Sequence, residues 1–97
     1  MKAELILDER HVLDTNAFVE VVVWRVPNPV RGSGHSLKYR LALVIEGACV
    51  LRYDNEAGKG DHRHIGGRET PYIFTDPETL VRDFWRDVDS VRRRLKR

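Results

Sequence analysis

The stretch from Asp61 to His64 places two histidines, His62 and His64, two positions apart. If this segment is extended, both imidazoles point to the same side, because side chains alternate along a strand. Such a pair has three interpretations: it binds a metal ion, it supplies a general acid and a general base, or it is structural. The neighbouring polar residues are needed to choose among them.

A metal site would need a third ligand beside the two imidazoles, and Asp54 or Asp61 would have to supply it. The single cysteine, Cys49, lies within an apolar run, which favours a small buried hydrophobic residue over a metal ligand. The sequence contains no second cluster of histidine and cysteine. We therefore rank metal binding second and predict neither a bound metal nor another cofactor.

Acid–base catalysis suits the pair because imidazole transfers protons near neutral pH. Cleavage of RNA by its own 2′-hydroxyl needs one group that accepts the hydroxyl proton and another that protonates the leaving oxygen. It also needs cations that stabilise the charge of the transition state. The predicted catalytic residues are His62, His64, Arg52, Asp54 and Lys38. Among them, Asp54 would orient a histidine or position Lys38.

Substrate binding is predicted for three further polar residues of the same region: Arg40, Asn55 and Arg63. Residues 25–68 contain eight Lys or Arg against four Asp or Glu, whereas residues 1–24 contain two against five. A positive surface of this kind attracts anions such as a nucleic-acid backbone. A solvated, charged strand edge explains the same residues without any function, because ion-pair networks are common in proteins.

The elements that position these residues are predicted to be strands followed by a helix. Runs rich in β-branched and aromatic side chains indicate strands. They fall at residues 2–7, 18–26, 37–45, 48–54 and 70–74, and a further strand starts at His62 and ends before Gly66. The stretch from Thr75 to Glu78 matches a capping box. The apolar residues after it have helical spacing, and they are Leu80, Phe84, Val88, Val91 and Leu95.

These elements predict one domain, residues 1–97, of the α+β class: a mainly antiparallel sheet of about five strands with one long C-terminal helix packed on a face. A three-residue turn at residues 45–47 would keep the apolar side chains of its two flanking strands on one face. The residues expected beneath the helix are Tyr39, Leu41, Leu43, Cys49 and Leu51. The opposite face would then pair Lys38 with Asp54 and Arg40 with Arg52.

The polar motifs follow one another in a characteristic order. The chain contains Lys38-Tyr39, Arg52-Tyr53-Asp54-Asn55, His62-Arg63-His64-Ile65-Gly66-Gly67 and Pro71-Tyr72, and then the terminal helix. This order resembles the TumE family of toxins from bacterial toxin–antitoxin systems. The resemblance extends from about Lys38 to Val91 and weakens before Pro27. Its most specific part is the combination of Arg-x-Asp-Asn with a following His-x-His.

The resemblance implies a growth-inhibiting toxin and a cognate antitoxin, typically one with a DNA-binding helix-turn-helix. Cleavage of RNA, as a metal-independent endoribonuclease, is our inference from the side chains, aided by analogy with other small bacterial toxins. A non-catalytic module that inhibits a nucleic-acid or protein target by binding is the alternative. The sequence shows no signal-peptide pattern and no apolar stretch of membrane-spanning length. It therefore predicts a cytoplasmic protein without a membrane partner, and a homodimer stays open.

Overall fold

The computed structural model describes residues 2–95, which form one antiparallel sheet and one helix. In chain order the elements are β1 (Glu4–Asp14), β2 (Ala17–Arg25), β3 (Leu37–Ile45), β4 (Ala48–Glu56), β5 (Gly60–Ile65), β6 (Arg68–Pro71) and α1 (Pro77–Leu95). Each strand lies beside its predecessor, and every connection within the sheet except the loop of residues 26–36 is a short turn between antiparallel strands. The α+β class is confirmed, with six strands rather than about five.

The core lies between one face of the sheet and α1. Every second residue of the central strands is buried there, as period-two alternation requires. The most deeply buried sheet residues are Val19, Val21, Val23, Leu41, Leu43, Leu51 and Tyr53. The helix contributes Leu80, Phe84, Val88 and Val91. The predicted helical stripe is therefore confirmed except at Leu95, which is 59% exposed.

The turn between β3 and β4 differs from the prediction. Only Glu46 and Gly47 form it, and both have positive φ, 51° and 78°. Such two-residue turns match the twist of paired strands. The pairing then shifts between Leu43 and Val44, so that Val50 is an extra residue on β4, as in a β-bulge. The predicted three-residue turn is wrong. The turn has one residue fewer, but the extra residue of the bulge restores the predicted alternation of faces along the rest of β4.

The bulge has two consequences for the register. Arg40 lies opposite Asp54, and Ala42 lies opposite Arg52, so the predicted pairing is wrong by two residues although each residue keeps its predicted face. Beyond the bulge the alternation changes, and Cys49 is exposed rather than buried beneath the helix. The helix-free side of the sheet, which we call the open face, carries Lys38 of β3 together with Arg52 and Asp54 of β4.

The ends of the sheet also differ from the predicted ranges. β1 continues to Asp14 instead of ending at residue 7, because its charged middle pairs with β2 as an exposed edge strand. β6 starts at Arg68 and ends at Pro71, and it occupies the other edge, where a proline is tolerated. Within residues 2–95, no helix combines the length and the apolar character that crossing a membrane would require.

Phe84 is the residue of α1 whose truncation should most strongly test the packing. Its ring is fully buried and meets Tyr53 edge-on, with ring centroids 5.7 Å apart. Phe84→Ala is expected to lower the free energy of unfolding by about 3–5 kcal/mol, measured by urea denaturation. Ile73→Ala is the control, because Ile73 is 85% exposed and should change it by about 0.5 kcal/mol or less. Equal midpoints for the two variants would contradict this packing.

Candidate active site on the open face

Five ionisable side chains from three adjacent strands meet on the open face. Arg52 and Asp54 of β4 lie directly opposite His64 and His62 of β5. Glu69 of β6 lies opposite His64. Because residues directly opposite each other in an antiparallel pair point to the same face, these side chains converge. We call this group the histidine cluster, and it places both imidazoles on one side, as the sequence predicts.

Arg52 connects Asp54 of β4 with His64 of β5. Its Nη2 lies 3.1 Å from Nε2 of His64, and its Nε lies 3.0 Å from Oδ2 of Asp54. A guanidinium can only donate, so Nε2 of His64 accepts and the ring carries its proton on Nδ1. That Nδ1 lies 3.8 Å from Oε2 of Glu69. Oδ1 of Asp54 also lies 3.7 Å from Nε2 of His64, so a guanidinium and a carboxylate both border this nitrogen and hold the ring in place.

The contact between Arg52 and Asp54 is an ion pair rather than a hydrogen bond. Although the two atoms are 3.0 Å apart, Nε of Arg52 is buried without a hydrogen-bond partner. The side chain of Asp54 is only 12% exposed, so its negative charge depends on the guanidinium for compensation. Arg52 therefore has two tasks, which are to neutralise a nearly buried carboxylate and to orient an imidazole.

His62 has different partners from its neighbour on β5. Its Nδ1 lies 3.1 Å from the carbonyl oxygen of Gly60, which can only accept, so Nδ1 carries a proton. Its Nε2 lies 3.5 Å from Oε1 of Glu69. A carboxylate is the natural partner of a protonated ring nitrogen. The same carboxylate thus faces both imidazoles, while only His64 is contacted by a guanidinium.

Sequence reasoning missed Glu69. The signal was present in Gly66-Gly67, which forms a two-residue turn that pairs Ile65 with Arg68 and therefore His64 with Glu69. The strand predicted at residues 70–74 starts after Glu69, so the prediction left this carboxylate outside the sheet. A hairpin reading of the same two residues would have placed the carboxylate beside the imidazoles.

Lys38 and Arg40 lie on the open face at the border of the histidine cluster. Arg40 is directly opposite Asp54, and Lys38 is two positions along the same strand, so it shares that face. Both side chains are exposed. The structure therefore brings these two predicted site residues next to the cluster as cations in contact with solvent.

Two other predicted site residues lie away from the cluster. Asn55 is 2% exposed, and its amide donates to the carbonyl of Leu37 at 2.7 Å and accepts from the backbone N–H of Tyr39 at 3.0 Å. Arg63 points to the helix side, where its Nη1 lies 3.3 Å from Oδ2 of Asp87. Their assignment to substrate binding stays a prediction, and these contacts favour roles in the fold.

Asp61 belongs to a separate polar network on the helix side. Its carboxylate accepts hydrogen bonds from Tyr39 Oη at 2.6 Å, Ser33 Oγ at 2.7 Å and His35 Nε2 at 2.8 Å. Nδ1 of His35 accepts from the backbone N–H of Leu37 at 3.2 Å, which fixes the proton on Nε2. The network attaches the loop of residues 26–36 to the start of β5, directly before the histidine cluster.

This position removes Asp61 as a ligand that could act together with the histidine pair. Among residues 2–95, no three side chains of histidine, cysteine, aspartate or glutamate are arranged so that they could bind one metal ion. The remaining candidate, Asp54, is engaged by Arg52 through the 3.0 Å ion pair. Neither carboxylate that the sequence offered as a third metal ligand is therefore free to join the histidine pair.

Asp61→Asn should expose the contribution of the network to stability. Burial by itself would raise the pKa of Asp61, but the three hydrogen bonds outweigh it and lower that pKa below its ordinary value of 3.8. A carboxyl whose pKa is lower in the folded state stabilises the fold above its unfolded pKa, and this contribution is lost as the pH falls through the folded pKa. The variant should lose about 1–3 kcal/mol at pH 7.

The measurement is urea denaturation of the parent and the variant at neutral pH and at a pH below 3.8. The difference between them should shrink at the acidic value. Asp89→Asn, at an exposed position of α1, is the matched control and should differ little from the parent at either pH. A difference for Asp61→Asn that is independent of pH would contradict the ionised network.

The fold and the histidine cluster can now be compared with known protein families. A small α+β chain with a polar cluster on an open sheet face matches a family model described as Toxin TumE over residues 2–93. The chain belongs to this toxin family. The family resemblance in the sequence is thereby confirmed, and the match also includes the residues before Pro27. Comparisons with curated proteins and with solved structures gave no match. Membership implies a cognate antitoxin as partner.

Proposed function

We propose that this toxin is an endoribonuclease that cleaves RNA without a metal ion, through attack of the 2′-hydroxyl on the adjacent phosphate. The observation that carries the proposal is the different environment of the two imidazoles. His64 accepts a hydrogen bond from Arg52 at 3.1 Å, whereas Nε2 of His62 lies 3.5 Å from a carboxylate of Glu69. One ring is thus arranged to take up a proton and the other to release one.

In the proposed reaction His64 is the general base and His62 is the general acid. Nε2 of His64 takes the proton of the 2′-hydroxyl while the 2′-oxygen forms a bond to phosphorus. The bond from phosphorus to the 5′-oxygen breaks, and the proton on Nε2 of His62 passes to that oxygen. The products are a 2′,3′-cyclic phosphate and a 5′-hydroxyl. The two imidazoles end with exchanged protonation states and are restored by exchange with water.

Arg52 would change partners when the substrate binds. In the free protein its Nη2 contacts the lone pair of His64 that the reaction requires. A phosphate oxygen is a stronger acceptor for a guanidinium than an imidazole is. Binding of the phosphate would therefore draw Arg52 away from His64, free the lone pair and stabilise the charge of the transition state. Asp54 would keep the guanidinium in place.

The exposed cations of β3 support a polymeric anionic substrate. Lys38 and Arg40 are both exposed beside the histidine cluster. Neither imidazole is closed off, since their side chains are 18% and 24% exposed. A strand of RNA could lie across such a surface, with neighbouring phosphates on the cations. The proposed site of action is the cytoplasm, where the RNA is.

The test is incubation of the purified chain with total RNA, with and without a chelator. Cleavage that survives the chelator and leaves 2′,3′-cyclic phosphate ends is the expected result. The double variant His62→Ala/His64→Ala, purified in parallel, controls for contaminating nuclease and should leave the RNA intact. Cleavage lost in the chelator would instead indicate a metal-dependent enzyme. Intact RNA with the parent protein would favour a non-catalytic module that inhibits its target by binding.

The toxin role leads to a second expectation at the level of the cell. Expression of the chain alone should arrest bacterial growth, and co-expression of the product of the adjacent gene, proposed to be an antitoxin with a helix-turn-helix, should restore it. Growth should also continue with the double histidine variant. Size-exclusion chromatography of the purified chain would show whether it forms a homodimer. Normal growth with abundant folded parent protein would contradict the toxin role.

A further inference from the structure

The open face continues beyond the histidine cluster to β2, where it carries an exposed tryptophan. Trp24 is 37% exposed and lies directly opposite Lys38. Two positions along β2, Val22 lies opposite Arg40. Since opposite residues share a face, the two cations of β3 lie between this indole and the cluster. The order across the sheet is therefore aromatic ring, cations, and then histidines.

Phe18 of the open face and Trp85 of α1, on the other side of the sheet, already have partners. The ring of Phe18, on the same face of β2, is covered by the guanidinium of Arg10 at 4.0 Å. Trp85, the second tryptophan, packs edge-on against Phe84, with centroids 5.9 Å apart. Among residues 2–95 no aromatic ring stacks on Trp24. Its exposed indole is therefore available to a planar ligand.

We propose that Trp24 is a stacking platform for a base of single-stranded RNA, and that Lys38 and Arg40 bind the phosphates between this base and the scissile bond. The proposal rests on the proposed function and names the substrate class. Aromatic rings that stack bases beside cations that bind the backbone are the usual means of binding single strands. In a duplex the base faces are stacked on each other, so the platform would select unpaired RNA.

The spacing on the sheet is compatible with this arrangement. Trp24 and His62 are separated by three strand-to-strand steps, from β2 to β5, which correspond to about 14 Å. They also differ by one row along the strands, because Arg40 rather than Lys38 leads through Asp54 to His62. An extended single strand of a few nucleotides can cover this distance. The platform would thus set the position of the cut relative to a stacked base.

Binding can be measured in a variant that does not cut. Trp85→Phe combined with His62→Ala leaves Trp24 as the sole tryptophan of a chain that contains two. Titration with a short single-stranded RNA of mixed sequence should quench its fluorescence in a saturable manner. The same sequence as a duplex should not. A circular dichroism melt of the double variant checks that it is folded before the titration is interpreted.

The affinity for RNA should then depend on the ring at position 24. Trp24→Ala is expected to weaken binding of the single strand by about 5- to 150-fold, and Trp24→Phe should retain most of the affinity. Val12→Ala is the matched control, since Val12 is a 73% exposed apolar residue of the same face. In the active enzyme, Trp24→Ala should raise KM more than it lowers kcat.

The outcomes separate this proposal from the proposed function. If the parent cuts RNA while Trp24→Ala has unchanged KM and affinity, the stacking platform is wrong and the ribonuclease stands. If the duplex quenches as strongly as the single strand, the substrate class is wrong. If neither RNA changes the fluorescence but the antitoxin does, Trp24 belongs to a protein interface and the proposal is overturned. If the parent fails to cut RNA, the proposed function is wrong, and the fluorescence titration alone decides whether Trp24 binds single-stranded RNA.

Discussion

His62→Ala and His64→Ala are each expected to reduce RNA cleavage by about 10²–10⁴-fold, the usual contribution of a general acid or base. The double variant should be little worse than either single variant, because residues that act as one unit fail together. The folded state should survive. Neither ring belongs to the core, and their side chains are 18% and 24% exposed. Toxicity should disappear together with cleavage.

The dependence of the rate on pH gives a second measurement of the same pair. Activity should fall on both sides of an optimum, because one imidazole must be neutral while the other is protonated. His11→Ala is the matched control. That histidine is also exposed and also pairs with a carboxylate, at 3.0 Å from Glu9, but it lies on β1, away from the cluster.

Measuring the melting temperature and the growth inhibition on the same variants separates catalysis from stability. A structural role would lower the melting temperature of each histidine variant, and toxicity would then decline only as the amount of folded protein declines. A stable and fully toxic double variant would exclude catalysis by these histidines. Because the ring of His11 packs edge-on against Trp85, 5.3 Å between centroids, the melting temperature of His11→Ala is measured too. Loss of activity in His11→Ala at an unchanged melting temperature would show that the effect is not specific to His62 and His64.

The faces of the central strands could be predicted from the sequence because alternation is a local signal. Tyr39, Leu41 and Leu43 lie beneath the helix as predicted. The register could not be predicted, because a three-residue turn and a two-residue turn with a bulge at Val50 give the same parity. Cys49, beyond the bulge, received the wrong face. A shift by two residues leaves faces unchanged but changes every neighbour.

Which residues belong to the site could be predicted only in part, because some of them contact partners that are distant along the chain. That both histidines point to the same side of the sheet follows from extended geometry and was predictable. The roles of Asn55 and Arg63 were not, because their partners are Leu37 and Asp87, which lie 18 and 24 positions away along the chain. Distant partners depend on how the loop and the helix pack, and the motif alone places all of these residues in one polar stretch.

Arg52→Lys is expected to reduce cleavage by about 10²–10³-fold, the loss typical when one preorganised donor of a transition-state site is removed. Lysine keeps the positive charge, but a single ammonium cannot contact Asp54 and His64 in the geometry of a planar guanidinium. Its Nε and Nη2 lie 3.0 Å and 3.1 Å from those partners. The variant therefore tests orientation rather than charge.

Lysine is a sharper choice than alanine at this position. Arg52→Ala would leave the carboxylate of Asp54, 12% exposed, without its compensating charge, and breaking such a pair costs about 3–5 kcal/mol. Loss of folding would then obscure any effect on catalysis.

Arg40→Lys is the matched control, because Arg40 is an exposed cation on the same face. It should keep its activity if it binds phosphate only as a point charge. Full activity in both Arg52→Lys and Arg40→Lys, at unchanged melting temperature, would show that the open face attracts RNA by charge alone. A large loss confined to Arg52→Lys would instead show that catalysis needs the guanidinium that contacts both Asp54 and His64.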